Sequence, residues 1–445
     1  MKWHVIVRVG PDDSYSPALS HNEPRIFVGL ARPGDPWSVW NKAAEVIYQK
    51  VGTLPSQDAL DLLNLAMAVY AADLRIPRSS AADRWTREVV LHLPVVEVDL
   101  WDGALSVFLQ ALSFLTGDIW GIQLRNRQPR PKSAGECKLK SVQEVCLFSG
   151  GLDSLVGAID LLEAGKPVAL TGQYGAGMTG SIQEQVLVDL VKRYGPTVVP
   201  VRFYVQPAKR VKDPQGKPIR LGEPTMRARS FLFLTLGVAL TNALGGDRPL
   251  IVAENALISL NVALTHTRLG SLSTRTTHPH FVALYSRLLE AIGMPTAVRF
   301  AYRFQTKGQM LGGTKNLALL AALAPLTLSC AHPQASRYGK ATPGHCGYCV
   351  PCIIRRAALK AAGIDQGHYE LDILTSPPDP RTEKGRDLRA FQMAIERLRG
   401  AKPQRFLFDV LATGPIPEDD AHEYAELYAR GMNEVSDLLE LGPIP

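Results

Sequence analysis

The sequence Ser-Gly-Gly-Leu-Asp-Ser occupies residues 149–154 and directly follows a short apolar run, residues 144–148. A helical pattern comes next, from Leu155 to Ala164, and ends at Gly165. Glycines between a strand and a helix let backbone N–H groups approach an anion, and the helix N-terminus adds partial positive charge. The stretch lacks the G-x-x-x-x-G-K-[ST] pattern of a Walker A loop. It therefore predicts a phosphate-binding loop of another kind.

An ordinary glycine turn is the alternative interpretation of these residues, with Asp153 or Ser154 capping the helix that comes after it. The tripeptide Ser-Gly-Gly alone would favour that alternative. The complete hexapeptide, placed between a strand pattern and a helix pattern, favours phosphate binding instead.

Four cysteines form the second motif, with the spacing C-x15-C-x2-C-x2-C at Cys330, Cys346, Cys349 and Cys352. Two short steps that share a cysteine, together with a distant fourth thiol, fit a tetrahedral four-sulfur site. Because four thiolates leave no open coordination position, the motif predicts a structural Zn²⁺ ion. An iron–sulfur cluster uses similar spacing and stays open as an alternative. Disulfides are disfavoured because nothing in the sequence indicates secretion.

The composition is that of a globular protein of two or three domains, with 445 residues, 46% of them hydrophobic and 20% charged. The net charge of +7 suits nucleotides and other anionic partners, nucleic acid among them. The longest apolar stretch, Leu317–Leu328, contains a proline and is too short to cross a bilayer. Since no signal peptide is evident either, we expect a cytoplasmic protein without a membrane partner.

Patterns along the chain predict four segments. Residues 1–130 mix strand patterns with helix patterns, such as Ala43–Val51, and predict an N-terminal α+β specificity or docking domain. A linker rich in Pro, Lys and Arg comes next at about 126–142. Residues 143–328 alternate strands and helices, which predicts an α/β fold with a doubly wound parallel sheet. Residues 329–400 predict a zinc-binding helical segment, and residues 401–445 a helical tail.

Ligands of doubly wound sheets bind beyond the carboxyl ends of the strands. That rule brings the residues 149–154 loop, Gln173–Gly175 and Glu254–Asn255 to one crevice. A carboxylate and an amide there could bind a ligand, although both side chains could instead cap turns.

The two motifs together resemble the QueC family of PP-loop (N-type) ATP pyrophosphatases over about residues 143–362. The elements that match are Phe148–Ser154, Gln173–Gly175, Thr306–Lys307, Leu328–Cys330 and Cys346–Cys352. The helix that starts at Arg227 also matches, except that Ala228 stands where the family has asparagine.

The sequence departs from the family where the substrate segment is replaced by residues 273–280 and where about 130 N-terminal residues are added. That architecture resembles the QueC-like proteins of bacterial antiphage systems, most of all the QatC group of the Qat system.

The resemblance implies a PP-loop ATP-dependent ligase that splits ATP, with Mg²⁺, into AMP and pyrophosphate. It would adenylate a 7-carboxy-7-deazaguanine-like carboxylate and transfer it to an amine, such as the N-terminus of a QatB-like protein of the same defence system. The alternatives are a 7-cyano-7-deazaguanine synthase and a PP-loop RNA-modifying enzyme, which the basic charge allows. A non-enzymatic ATP-binding scaffold is disfavoured by the intact hexapeptide.

The motifs and the resemblance assign roles to individual residues. ATP is expected on Phe148, Ser149, Gly150, Gly151, Asp153, Ser154, Gln173 and Lys307. The catalytic candidates are Asp153, Ser154, Arg227 and His278. Asp153 would hold Mg²⁺ or cap its helix, Arg227 would neutralise the α-phosphate, and His278 would act as base for the amine. The substrate candidates are Glu254, Asn255, Thr276 and His278.

Overall fold

The computed structural model describes residues 1–20, 23–32, 34–130, 135–175, 177–208, 211–212, 218–219, 222–265, 274–332, 344–367 and 369–445. Ser273 of the replaced substrate segment lies outside the described residues.

The strands in these ranges are β1 (Lys2–Val9), β2 (Arg25–Leu30), β3 (Ser38–Asn41), β4 (Glu88–Val95), β5 (Ile119–Asn126), β6 (Glu144–Leu147), β7 (Val168–Tyr174), β8 (Val198–Pro207), β9 (Val211–Lys212), β10 (Pro218–Ile219), β11 (Leu250–Val252) and β12 (Val298–Phe300). The helices are α1 (Ala43–Val51), α2 (Gln57–Arg75), α3 (Val98–Thr116), α4 (Leu152–Glu163), α5 (Met178–Tyr194), α6 (Arg229–Ala243), α7 (Ala256–Leu260), α8 (Pro279–Ala291), α9 (Lys307–Gly312), α10 (Leu317–Leu323), α11 (Val350–Ala361), α12 (Arg386–Arg399), α13 (Pro403–Leu411) and α14 (Glu418–Leu438).

Ten strands form one sheet in the order β12-β11-β6-β7-β8-β3-β2-β1-β4-β5. Neighbouring strands are parallel, except that β3 pairs antiparallel with β8. The predicted α/β fold with a large parallel sheet is therefore confirmed. The β3–β8 pair divides the sheet into two parallel blocks whose strands run in opposite directions.

The N-terminal block corrects one prediction. The sequence pattern predicts α+β for residues 1–130, but β1, β2, β4 and β5 are parallel to their neighbours. Helix α3 carries the chain from the end of β4 back to the start of β5, and such a crossover makes two strands parallel. Hydrophobic periodicity identifies strands but not their direction, so the pattern alone does not distinguish the two classes.

The hydrophobic core does not stop at the 126–142 linker. Helix α2 packs against α6, and α3 packs against α8. One cluster of buried side chains joins residues of both blocks, including Phe108 on α3 and Phe231 on α6, whose rings are 5.9 Å apart. The N-terminal residues are thus packed into the same core as helices α6 and α8.

A buried carboxylate fastens α2 to the start of α6. One oxygen of Asp73 accepts a hydrogen bond of 2.6 Å from Arg87, and the other accepts one of 2.9 Å from the N–H of Ala228. Asp73 is fully buried, and a buried charge of this kind is tolerated only when it is paired and hydrogen-bonded. The N-terminal block therefore fixes where α6 begins.

Helix α3 is long and apolar enough to cross a membrane by length and composition, with a mean hydropathy of 1.3. It is the one such helix in the described part of the chain. Its buried residues, which include Trp101, Phe108 and Leu112, belong to the hydrophobic core.

The C-terminal part of the chain forms a second core. Helices α11, α12, α13 and α14 pack together with α7, and their buried residues form one cluster that contains three of the four motif cysteines. Packing therefore continues from residues 329–400 into residues 401–445, which the sequence pattern predicts as separate segments. Helix α14 also contacts α9, whose buried residues Met310 and Leu311 belong to another cluster, together with residues of α4.

Candidate functional site

A cavity of about 460 Å³ lies at the carboxyl ends of β6, β7 and β11. Within the sheet, β7 and β8 lie on one side of β6, whereas β11 and β12 lie on its other side. The cavity is therefore at the switch point between β6 and β11, where doubly wound sheets bind their ligands. Its volume is in the range of small-molecule sites.

Most of the predicted site residues line this cavity. Those that line it are Phe148, Ser149, Gly151, Asp153, Ser154, Gln173, Glu254, Thr276 and Lys307. Four other candidates are absent from the described lining: Gly150, Arg227, Asn255 and His278.

The loop of residues 149–151, the glycine loop, leaves β6 in a tight turn. Gly150 has φ +80°, and a Cβ atom there would lie 2.9 Å from the Cα atom of Gln183. Both the left-handed backbone and the close approach require glycine. The carbonyl of Gly150 accepts a hydrogen bond of 3.1 Å from the N–H of Leu328. The loop is therefore fixed between Gln183 and Leu328.

Helix α4 begins directly after the glycine loop. Its N-cap is Gly151, which has no side chain to cap the helix, so the predicted alternative of a cap by Asp153 or Ser154 is not observed. The hydroxyl groups of Ser149 and Ser329 accept weak hydrogen bonds from the N–H groups of Gly151 (3.2 Å) and Leu152 (3.4 Å). A cavity end bordered by N–H groups, hydroxyls and a helix N-terminus fits an anion such as phosphate.

Lys307, Asp153 and Asn255 are linked at the floor of the cavity. The Nζ atom of Lys307 lies 2.6 Å from Oδ1 of Asp153, and the Asn255 amide donates a hydrogen bond of 2.8 Å to Oδ2. The Asn255 side-chain oxygen accepts from the N–H of Ile258 and caps α7. Both polar atoms of Asn255 are therefore engaged, and it orients Asp153 rather than facing a ligand in this structure.

Glu254 is the second carboxyl group of the cavity, next to Asp153. Burial raises the pKa of Glu254 to about 7, and the charge of Asp153 adds to the effect, while a hydrogen bond to Thr277 and the charge of Lys307 oppose it. A carboxyl group with a pKa near neutrality can accept and release a proton under physiological conditions.

Helix α6 supplies a wall of the cavity, but through a different arginine from the one that the sequence predicts. Arg227 packs over the ring of Trp85 at 4.8 Å and does not line the cavity. Arg229 does line it, donating a long hydrogen bond of 3.4 Å to Gln173 and lying 4.8 Å from the ring of Phe233. Arg229 and Phe233 are four residues apart and therefore share a helical face. This spacing is the sequence feature that could have identified Arg229 as the arginine of the cavity.

The structure also corrects the prediction that His278 acts as a base and contacts the substrate. The side chain is fully buried, its Nδ1 atom accepts from the N–H of His280 at the start of α8, and its Nε2 atom lies 2.9 Å from the Thr413 hydroxyl. Burial, together with the nearby Arg275 and His280, lowers the pKa of His278 to about 3. With both nitrogens engaged outside the cavity, His278 is a helix cap and not a base for a substrate.

The four motif cysteines come together as predicted. The Sγ atoms of Cys330 and Cys349 are 4.0 Å apart, those of Cys346 and Cys352 are 3.9 Å apart, and all four lie within 4.8 Å of one another. Tetrahedral coordination with metal–sulfur bonds of about 2.3 Å places sulfurs ~3.8 Å apart. The cluster therefore fits a metal ion such as zinc, and none of its cysteines forms a disulfide.

The cysteine cluster is connected to the glycine loop through Ser329. Its N–H donates a hydrogen bond of 3.2 Å to His345, which precedes Cys346 in the chain, and its hydroxyl accepts from Leu152 at the start of α4. Arg355 on α11 donates to Thr327 at 2.8 Å and reaches Ser329 at 3.5 Å. The sequence pattern assigns Ser329 no role, since its partner Leu152 is distant in the chain.

Compared with known proteins, the sequence matches no family model, and no curated protein matches it. A function for this chain therefore rests on the geometry of the cavity and of the cysteine cluster.

Proposed function

We propose that this protein is a PP-loop ATP-dependent ligase, which adenylates a carboxylate and transfers the acyl group to an amine. The observation that carries the proposal is the convergence of the glycine loop, Lys307 and Glu254 in one cavity at the switch point of the sheet. An anion-binding end beside a titratable carboxyl group is the arrangement that such a reaction needs.

The polar end of the cavity supports a position for the triphosphate. Lys307 and the N–H groups around Gly151 would bind the departing pyrophosphate, while Arg229, on the α6 wall, would approach the α-phosphate. Phe233 and Leu234 offer the same cavity an apolar surface on which a flat base can pack. The substrate would be a deazaguanine-type carboxylate, as the resemblance to QueC implies.

The reaction has two balanced steps. A substrate carboxylate oxygen attacks the α-phosphorus, the bond to the bridging oxygen breaks, and pyrophosphate leaves with both electrons of that bond. The amine nitrogen then attacks the acyl carbon, and AMP leaves as the amide forms. Glu254 takes the amine proton, since His278 is outside the cavity. The acceptor would be the N-terminus of a partner protein of the same defence system.

Two metals belong to the proposal in different ways. Zn²⁺ would be held by the four cysteines, where it would support the segment around Ser329 and take no part in the chemistry. Mg²⁺ would enter with ATP. Both oxygens of Asp153 are engaged by Lys307 and Asn255 in this structure, so Asp153 could hold Mg²⁺ only after the phosphates draw Lys307 away from it.

The test is ATP–pyrophosphate exchange with 7-carboxy-7-deazaguanine, followed by intact-mass measurement of candidate partner proteins. Carboxylate-dependent exchange with a mass gain on a partner supports the ligase. Carboxylate-dependent AMP release that yields the nitrile would identify a 7-cyano-7-deazaguanine synthase. AMP formation that needs RNA, with a steep salt dependence, would favour an RNA-modifying enzyme, and no AMP formation at all would contradict the proposal.

A further inference from the structure

The C-terminal helix α14 reaches the cavity region through one carboxylate. Glu434 accepts a hydrogen bond from the hydroxyl of Thr306 and another, of 3.1 Å, from the N–H of Gly308. A Cβ atom on Gly308 would overlap the carboxylate, so this close approach depends on glycine. Thr306 and Gly308 are the two neighbours of Lys307 in the chain, and the carboxylate therefore holds the backbone on both sides of the lysine.

The same short segment is also capped from within. Thr306 accepts from the N–H of Gln309 at 3.1 Å, and Gln309 accepts from the N–H of Thr306 at 3.0 Å, which is a capping box. The capping box leaves the N–H of Gly308 to be satisfied, and Glu434 satisfies it. A carboxylate at this end also interacts favourably with the helix dipole.

Lys307 is almost completely buried, and its side chain extends from this capped turn to Asp153 in the first turn of α4, directly after the glycine loop. A lysine side chain has many rotamers, so a fixed backbone at its Cα atom reduces the conformational freedom that must be lost when Nζ meets its partner. The path from α14 to the glycine loop thus runs from Glu434 through the turn around Lys307 to Asp153.

We propose that Glu434 is a positioning residue of the nucleotide site, which holds the start of α9 so that Lys307 reaches the phosphates. The proposal rests on the proposed function, because it concerns the ATP that the cavity would bind. It also gives residues 401–445 a role in the site. Glu434 itself does not line the cavity, and it acts through Lys307.

The experiment measures ATP affinity by calorimetry for Glu434→Ala, Lys307→Ala and the double variant, together with the thermal midpoint of each. We expect Glu434→Ala to weaken ATP binding roughly tenfold, the loss typical of one charged hydrogen-bond partner. Because Glu434 acts through Lys307, its removal should cause no further loss once Lys307 is absent, so the two losses should not add.

Two further variants make the result specific. Glu434→Gln keeps an acceptor for Gly308 and should retain more affinity than Glu434→Ala, and it serves as the readout if Glu434→Ala fails to fold. Glu426→Gln is the matched control, since Glu426 is on the same helix, with a side chain that is 75% exposed and forms an ion pair with Arg430. It should bind ATP like the wild type.

The outcomes separate the inference from the function on which it rests. If the wild-type protein binds ATP and Glu434→Ala binds it equally well, the inference is overturned but the proposed function is not. The inference is also overturned if Glu434→Ala lowers ATP affinity equally in the wild-type and Lys307→Ala backgrounds, because Glu434 would then be only a structural cap. A wild-type protein that does not bind ATP would overturn the proposed function, and the inference with it.

Discussion

Lys307 and Asp153 form an ion pair of 2.6 Å between the start of α9 and the first turn of α4, and both side chains line the cavity. Taking two charges out of water has a cost that their mutual attraction only partly offsets. A site for a phosphate offers a reason to keep the pair, because an incoming anion can take over the ammonium group. The pair thus marks where the polar end of the cavity is expected to bind its ligand.

Replacing Lys307 by Met is expected to weaken ATP binding by at least about tenfold, because the ammonium group that would meet the phosphates is lost. It also leaves the buried Asp153 without its cation, which lowers stability. Calorimetric titration with ATP measures the first effect. Lys315→Met is the control, as Lys315 is exposed and outside the cavity lining. Equal ATP affinity in both variants would contradict the placement of the triphosphate.

Alanine at Gly150 is expected to lower the free energy of unfolding by about 3 kcal/mol or more, since backbone strain and a steric clash combine there. Gly165→Ala is a close control at the other end of α4. Its φ is +71°, but a Cβ atom there would meet nothing within 4 Å, so strain alone should cost ~1 kcal/mol. Urea unfolding of both variants measures the difference. Equal losses would show that Gln183 moves aside without cost.

The raised pKa of Glu254 predicts how stability depends on pH. Its value moves from 4.5 to about 7 on folding, so the folded protein binds the proton more tightly than the unfolded chain does. The stabilisation is complete below pH 4.5 and is lost as pH rises toward 7. Glutamine at position 254 cannot ionise. The free energy of unfolding of Glu254→Gln should therefore exceed that of the wild type by roughly 2 kcal/mol at pH 8 and equal it at pH 4.

The control for stability is Glu290→Gln, since Glu290 is exposed on α8 and should show no such pH-dependent difference. The charged groups that act on Glu254 are Asp153 from α4 and Lys307 from α9. Glu254 should also give the transfer step a rate that rises with pH through about 7. An unchanged profile in Glu254→Gln would contradict its role as proton acceptor.

A serine in place of His278 is expected to keep both the fold and the ligase activity, because serine is a good N-cap for α8 and the imidazole is not needed in the cavity. Thermal unfolding should show a loss of about 1 kcal/mol from the missing contact with Thr413. Amide formation measured by mass spectrometry tests the activity. A variant that folds but forms no amide would restore His278 as a catalytic residue.

If the four cysteines hold a metal ion, its removal is expected to destabilise the protein and to weaken ATP binding, because Ser329 links the residue before Cys346 to the start of α4. Cys349→Ser should lose one metal ion per chain and about 3 kcal/mol or more of unfolding free energy. Metal content and thermal unfolding measure these effects. Cys137→Ser, outside the cluster, is the control and should retain the metal. Wild-type behaviour of Cys349→Ser would argue against a metal site.

Local motifs and the convergence of strand ends were predictable from the sequence, whereas individual side-chain contacts between distant segments were not. The helix Ala43–Val51 and the meeting of the four cysteines depend on short-range patterns, and the structure confirms both. The cap formed by His278 depends on Thr413, and the position of Arg227 depends on Trp85. Neither partner is close in the chain, so composition and spacing gave no signal for them.

The antiparallel contact between β3 and β8 has a further consequence. Without β3, the part of β8 from Val205 to Pro207, which now lies opposite β3, would form an unpaired border of the sheet. Unpaired borders of this kind recruit strands from other molecules and lead to aggregation. The N-terminal block therefore covers the edge strand that the other half of the sheet would otherwise expose.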